Sequence, residues 1–215
     1  MTETEIGEPT HPEGLTEAQE ELAKDLLNIR AIEFGGDYRL KLHDTHLEAP
    51  LFNLWQVPRH PHAKAVAVNV YQELLSPLKF DLLADISTTV TPIVSSLSGR
   101  LNVRMVSPRV DSKGYGSGNK VEGLLPRDKR SRVILIDGLI TDGASKIKAA
   151  EILEDHALFI EDIVVLIDIE QGGKEELDKA GYDLHAAFTL DQMLNYYLRT
   201  GLIDRQIYKD TKAKL

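Results

Sequence analysis

The residues of this chain best placed to do chemistry lie in Val133-Ile-Leu-Ile-Asp-Gly-Leu-Ile-Thr-Asp-Gly-Ala-Ser145. An apolar run ends at Asp137, a loop carrying Thr141, Gly143 and Ser145 follows, and a helical pattern then runs from Lys146 to Glu154. A buried strand, a polar loop and a helix N-terminus in that order make an anion site. The first N–H groups of a helix have no intrahelical partner, and the helix dipole adds positive charge there. Asp142 opposes that chemistry, because it puts a carboxylate where a phosphate would bind. A carboxylate about 4 Å from a phosphate costs roughly 1–4 kcal/mol per unit charge between water-like and surface-like dielectrics. Asp142 is therefore expected to serve as the site's own anion, capping the helix.

These residues need a scaffold, and the apolar spacing supplies one. Leu15 to Ile29 reads as a helix with Thr16 as N-cap and Gln19 completing a capping box. Phe34 to Phe52 reads as two short strands around a polar turn at His43-Asp44, and Pro58 to His62 as a breaker before a helix from Ala63 to Leu75. Strands are expected at 80–86, 102–106, 133–137, 163–168 and 184–189. Helices are expected at 91–98, 145–155, from Gly173, and at 191–200. Strands alternating with helices of this length imply right-handed βαβ units and a mostly parallel sheet with helices on both faces. Ligands of such sheets bind at the carboxyl ends of the strands, where Asp85, Asp137 and Asp168 are expected. Ser107 to Glu122 lacks apolar periodicity and carries Gly114, Gly116 and Gly118, as functional loops do.

Composition narrows the function classes. A chain of 215 residues, 42% of them hydrophobic, accommodates one domain with a sizeable core. That domain is expected at 15–215, behind a disordered tail at 1–14. A net charge of -9 argues against nucleic acid and anionic membranes as partners, and the short basic cluster Arg127 to Arg132 reads as a solvated turn. The absence of cysteine excludes disulfides, thiolate nucleophiles and cysteine-bound zinc. No apolar run approaches the roughly 18 residues of a membrane span, and the acidic N-terminus is no signal peptide, so a cytoplasmic location is expected. His43 with His46 and His60 with His62 read as surface or turn histidines, and no metal site is assigned. Asp168 and Glu170 read equally as strand-end caps or, with Asp137, as magnesium ligands. Leu51, Phe52 and Trp55 read as core or interface.

From about Leu15 to Leu198 the order of these pieces resembles the type I phosphoribosyltransferases, and among them the orotate phosphoribosyltransferases. Val164-Val-Leu-Ile-Asp-Ile-Glu-Gln-Gly-Gly-Lys-Glu-Glu-Leu177, followed by Ala180-Gly-Tyr-Asp-Leu-His-Ala-Ala-Phe-Thr-Leu190, carries the resemblance most specifically. It implies the type I phosphoribosyltransferase fold: a mostly parallel central sheet flanked by helices, with a small N-terminal hood at about 15–60. It also implies a homodimer, a nucleotide or nucleobase ligand, and Mg2+ accompanying phosphoribosyl pyrophosphate (PRPP) in an active member.

By the same resemblance, Arg109, Lys113 and Asp137 are the catalytic candidates. Thr141, Gly143 and Ser145 form the phosphate loop, compromised by Asp142, and Lys41 is a substrate candidate near the orotate-binding strand. Several positions depart from the family's pattern. Its acidic pair on the central strand reads Asp137-Gly138, and its orotate-pairing arginine falls at Ile169. The second basic position of the loop Arg109-Val-Asp-Ser-Lys-Gly-Tyr-Gly116 is Val110. Ala49-Pro-Leu-Phe52 is a weakened copy of a family motif, and Asp85 and Val90 stand where small residues are usual. These departures lead to the expectation of a catalytically impaired or inactive relative acting as a regulatory, ligand-sensing or partner protein. The alternative is an active phosphoribosyltransferase transferring the phosphoribosyl group of PRPP to orotate or another nucleobase.

Overall fold

A computed structural model describes residues 14–34, 40–42, 45–47, 50–109 and 120–213, with only backbone described at 40–42 and 45–47. Thr16 starts the first helix as expected. Its hydroxyl accepts from the Gln19 N–H at 3.2 Å and the Gln19 side chain accepts from the Thr16 N–H at 2.8 Å, which closes the capping box of α1 (Glu17–Asn28). Two small antiparallel pairs follow: β1 (Ile32–Glu33) with β4 (Leu51–Phe52), and β2 (Leu40–Leu42) with β3 (Thr45–Leu47). The turn expected at His43-Asp44 lies outside the described residues.

The breaker expected at 58–62 is a correction. Pro58 lies in the short helix α2 (Gln56–Arg59), and Pro61 is the first residue of α3 (Pro61–Leu75). A proline in the first turn of a helix lacks only an N–H that has no intrahelical partner there, so both helices accept one.

The alternating part of the chain comprises β5 (Leu82–Asp85), α4 (Thr91–Leu101), β6 (Arg104–Pro108), β7 (Val121–Glu122), β8 (Arg132–Ile140), α5 (Ala144–Glu154), β9 (Phe159–Asp168), α6 (Gly173–Ala180), β10 (Asp183–Thr189) and α7 (Leu190–Arg199). A last helix, α8 (Arg205–Lys212), goes beyond the expected elements; it is short and polar, and Asp204 caps it through the Ile207 N–H. The six-stranded sheet runs β10-β9-β8-β5-β6-β7, parallel throughout except for β7. One apolar cluster joins a sheet face to α1, α3, α4 and α7, and a second joins the other face to α5 and α6. The expected α/β architecture is therefore observed, with helices on both faces. No helix among the described residues is long and apolar enough to cross a membrane.

Two further departures bear on the site. β8 runs to Ile140, three residues past the expected end at 137, because Leu139 and Ile140 pair with Ile167 and Asp168 of β9. The basic turn before β8 is not simply solvated. Asp128 is buried and holds the Arg104 guanidinium and, at 2.9 Å, the Leu125 N–H. A buried carboxylate needs such partners; the Leu125 N–H is local, but Arg104 comes from β6, 24 residues earlier, which spacing alone does not reveal.

Candidate active site

Asp137 is at the centre of the strand-end site. Asp85, the last residue of β5, pairs with Ile136, so Asp137 is the first β8 residue beyond that edge of the sheet. It lies inside β8 and not at its end, as expected from sequence, because β8 continues along β9. The carboxylate is buried and fully engaged. Oδ1 accepts from the Ser87 hydroxyl at 2.7 Å and from the Gly138 N–H at 2.8 Å, while the Lys146 ammonium sits 2.6 Å from Oδ2. The Asp137 carbonyl accepts from the Tyr71 hydroxyl at 2.7 Å. Burial, reinforced by the Asp137 charge, holds the Tyr71 phenol well above its ordinary range, so it remains a donor.

Sequence reasoning misses Lys146, although a signal is present. The buried residues of α5 are Lys146, Ala149, Ala150 and Leu153, an i, i+3, i+4, i+7 stripe. A lysine on such a stripe requires a buried anion, and the preceding strand offers Asp137. A side chain in the place of the family's second acid would require Leu54 to shift: a Cβ added at Gly138 would lie 2.8 Å from its Cδ1. Leu54 and Gly138 border a small apolar pocket with Val57, Tyr71, Val90 and Leu166.

Thr141, Gly143 and Ser145, expected as a phosphate loop, lie in the turn leading into α5 and in its first residues. Gly143 takes a left-handed backbone (φ 80°) and stands at the N-cap, the position expected for Asp142. Asp142 is one residue earlier and exposed, and its Oδ1 accepts from the Ala144 N–H at 3.1 Å. Asp142 thus engages one helix-start N–H as an anion would, while glycine makes the turn because a side chain disfavours that φ. The Ser145 hydroxyl accepts from the Lys146 ammonium at 3.2 Å. Behind this loop, Gly173 opens α6 against the Thr141 carbonyl, and its absent Cβ would meet Ile140 Cγ1 at 2.6 Å.

The remaining strand-end acids are occupied by protein groups. Asp85 accepts from the hydroxyls of Thr91 and Ser107, which stabilises an acid where the family carries a small residue. Asp168 Oδ1 accepts from the Glu170 N–H at 2.8 Å, and Glu170 Oε2 accepts from the Asp191 N–H at 2.8 Å at the start of α7. Both therefore act as caps of the β9 end and of α7, and no cluster of three metal-ligating side chains occurs among the described residues. Ile169 is 4% exposed and packs in the core, so an arginine there would bury its charge.

Burial raises the Asp168 carboxyl above its ordinary range. The folded protein then binds this proton more tightly than the unfolded chain, and stability is lost as pH rises from the ordinary carboxylate range through the folded value. Asp168→Asn is therefore expected to raise Tm at neutral pH, with the gain fading as pH falls below that range. Equal gains at pH 7 and in acid would contradict it.

Arg109 follows β6, donates its N–H to the Lys120 carbonyl at 2.7 Å, and places its guanidinium 3.7 Å from Glu122. Lys113 and Tyr115 lie outside the described residues, as does the side chain of Lys41, whose backbone pairs with His46. His60 Nδ1 is 2.8 Å from the Gln56 carbonyl and His62 is 3.0 Å from Glu21. His156 and His185 contact the Ile152 carbonyl and Asp162 at 2.8 and 2.7 Å. Trp55 is not core: it is 52% exposed at the start of α2, beside Leu54.

No family model matches the chain. It is 30% identical over 179 residues to the orotate phosphoribosyltransferase of Methanopyrus kandleri, a match covering 81% of this chain and 91% of the relative. It is also 30% identical over 152 residues to the bifunctional enzyme PyrF/PyrE of a Nostoc species, over 71% of this chain but only 31% of that one. Among solved structures, Leishmania donovani UMP synthase superposes with a TM-score of 0.80 at 31% identity, covering 91% of this chain and 42% of that chain. The chain thus spans less than half of the two longer proteins.

Proposed function

We propose that this chain, which belongs to the orotate phosphoribosyltransferase family, is a working phosphoribosyltransferase that moves the phosphoribosyl group of PRPP onto orotate or another nucleobase. The observation that carries this reading is the near full-length relationship to the Methanopyrus enzyme. Supporting it, Asp137 stands at the strand edge, Gly143 and Ser145 stand at the helix start, and Arg109 closes β6. The expectation of an inactive regulator finds no support in the comparisons, where the relatives carry enzyme names. One observation favours it as a second reading: both Asp137 oxygens are engaged and Leu54 lies over Gly138.

In the active reading, Asp137 and the α5 loop receive the donor, and the family resemblance assigns Arg109 and Lys113 to the leaving diphosphate, in a homodimer. Both oxygens of Asp85 and Asp137 meet protein donors, Asp168 caps the Glu170 N–H through Oδ1, and no group of three metal-ligating side chains occurs among the described residues. In this reading magnesium enters with the substrate, held by its phosphates and water. With Ile169 in the core, recognition of an acidic base falls to other groups, so acceptors without a carboxylate are included.

Thermal unfolding with PRPP and magnesium, followed by a search for nucleotide and pyrophosphate with orotate and other bases, tests the reading. A ligand at 100 times its Kd adds about 2.7 kcal/mol, roughly 5–10 °C in Tm for a domain of this size. A shift with product formation is expected. A flat response to PRPP and to orotidine monophosphate would return the inactive reading.

A further inference from the structure

We propose that Lys146 is a donor-positioning residue of this site: it cancels the charge of Asp137 and thereby admits a polyanionic sugar phosphate to a strand end that is otherwise net acidic. The inference rests on the phosphoribosyltransferase reading above. Around the helix start stand two carboxylates, Asp137 within the strand and Asp142 on the loop, with the buried Asp85 behind them. Among the described residues, the ammonium that meets these acids is that of Lys146. It is 5% exposed, 2.6 Å from Asp137 Oδ2 and 3.2 Å from the Ser145 hydroxyl of the phosphate loop. It thus bridges the candidate hydroxyl-binding acid and the candidate phosphate loop. A charge held rigidly at a partly dry site acts on an incoming anion far more strongly than one in solvent. The ion pair also fixes the Asp137 carboxylate, leaving Ser87 and Gly138 on its other oxygen.

A purely structural ion pair makes a different prediction, and two backgrounds separate the roles. The Kd of PRPP with magnesium is measured by calorimetry at 25 °C for wild type, Lys146→Met, Asp137→Asn and the double variant Asp137→Asn/Lys146→Met. If Lys146 acts through its charge, its removal weakens PRPP binding at least tenfold in both backgrounds, and the loss shrinks as salt is raised. If the pair only holds the fold, Lys146→Met matters with Asp137 present, and the two variants carrying Asp137→Asn bind alike, which overturns the proposal. Because Asp137→Asn leaves the Lys146 ammonium without its carboxylate, Lys146→Gln, which keeps a donor to Asp137 but no charge, is measured alongside: a folded Lys146→Gln protein that binds PRPP like wild type also overturns the proposal, and a loss of at least tenfold that shrinks with salt supports it. A wild-type chain that binds no PRPP overturns the proposed function together with this proposal, whereas PRPP binding indifferent to residue 146 overturns only this one.

Discussion

Lys146→Met lowers the unfolding free energy by about 3–5 kcal/mol, the expected cost of breaking a buried pair by removing one partner. For a domain of this length that is a fall in Tm of roughly 6–20 °C. The size comes from the carboxylate left without a cation and not from the attraction itself. Methionine fills nearly the same volume on the buried stripe of α5, but Asp137 remains 7% exposed with nothing to balance its charge. Neutralising both residues, as in Asp137→Asn/Lys146→Met, is expected to recover most of the loss, because a buried pair and a well-packed neutral pair differ little. The exposed Lys174–Asp178 pair has a similar 3.0 Å separation, yet Lys174→Met should leave the urea midpoint where it is. Urea denaturation of these variants is the check. A Lys146→Met protein within about 1 kcal/mol of wild type would mean that Asp137 finds another cation or is solvated.

Gly173→Ala is the second large effect, and its sign is opposite to propensity. Alanine in a helix is favoured over glycine by about 1 kcal/mol, and Gly173 is the first residue of α6. Its Cβ, however, would run into the Thr141 carbonyl and into Ile140, at 2.6 Å from Cγ1 and 2.8 Å from Cδ1. Backbone and a buried side chain have to yield, which typically costs about 1–3 kcal/mol. The segment that yields is the loop carrying Thr141, Asp142 and Gly143, so PRPP affinity is expected to fall along with stability. Gly99 is the control: it lies in α4 and a Cβ there would meet nothing within 4 Å. Gly99→Ala should therefore stabilise by about 0.5–1 kcal/mol and leave PRPP affinity unchanged. Equal effects at the two glycines would show that the β8–α5 loop is free to move away from α6.

The sequence by itself determined the scaffold and its family. Runs such as 133–136 and 163–167 are apolar on every residue, which only a strand covered on both faces tolerates, and the helices between them carry the 3.6-residue stripe. The capping box at Thr16 is legible for the same reason, since cap and partner are three residues apart. The motif order leads to the phosphoribosyltransferases, and the loop residues Thr141, Gly143 and Ser145 do assemble at one helix start.

What only the tertiary structure decided is which of these groups are free to act. Spacing assigns the N-cap to Asp142, but the chain turns through Gly143 and leaves Asp142 exposed beside the Ala144 N–H. The side chain that a Cβ at Gly138 would have to displace, Leu54, lies 84 residues earlier in the chain. Asp85 is satisfied by Ser107 across a neighbouring strand, and Glu170 by the start of α7. The stripe of α5 marks Lys146 as a buried lysine in need of an anion, but only the fold shows its ammonium 2.6 Å from Asp137. Local hydrogen bonds and periodicity are short-range and can be read along the chain. The charge balance of a buried site depends on which strands and loops are laid side by side, and that is set by the folded sheet.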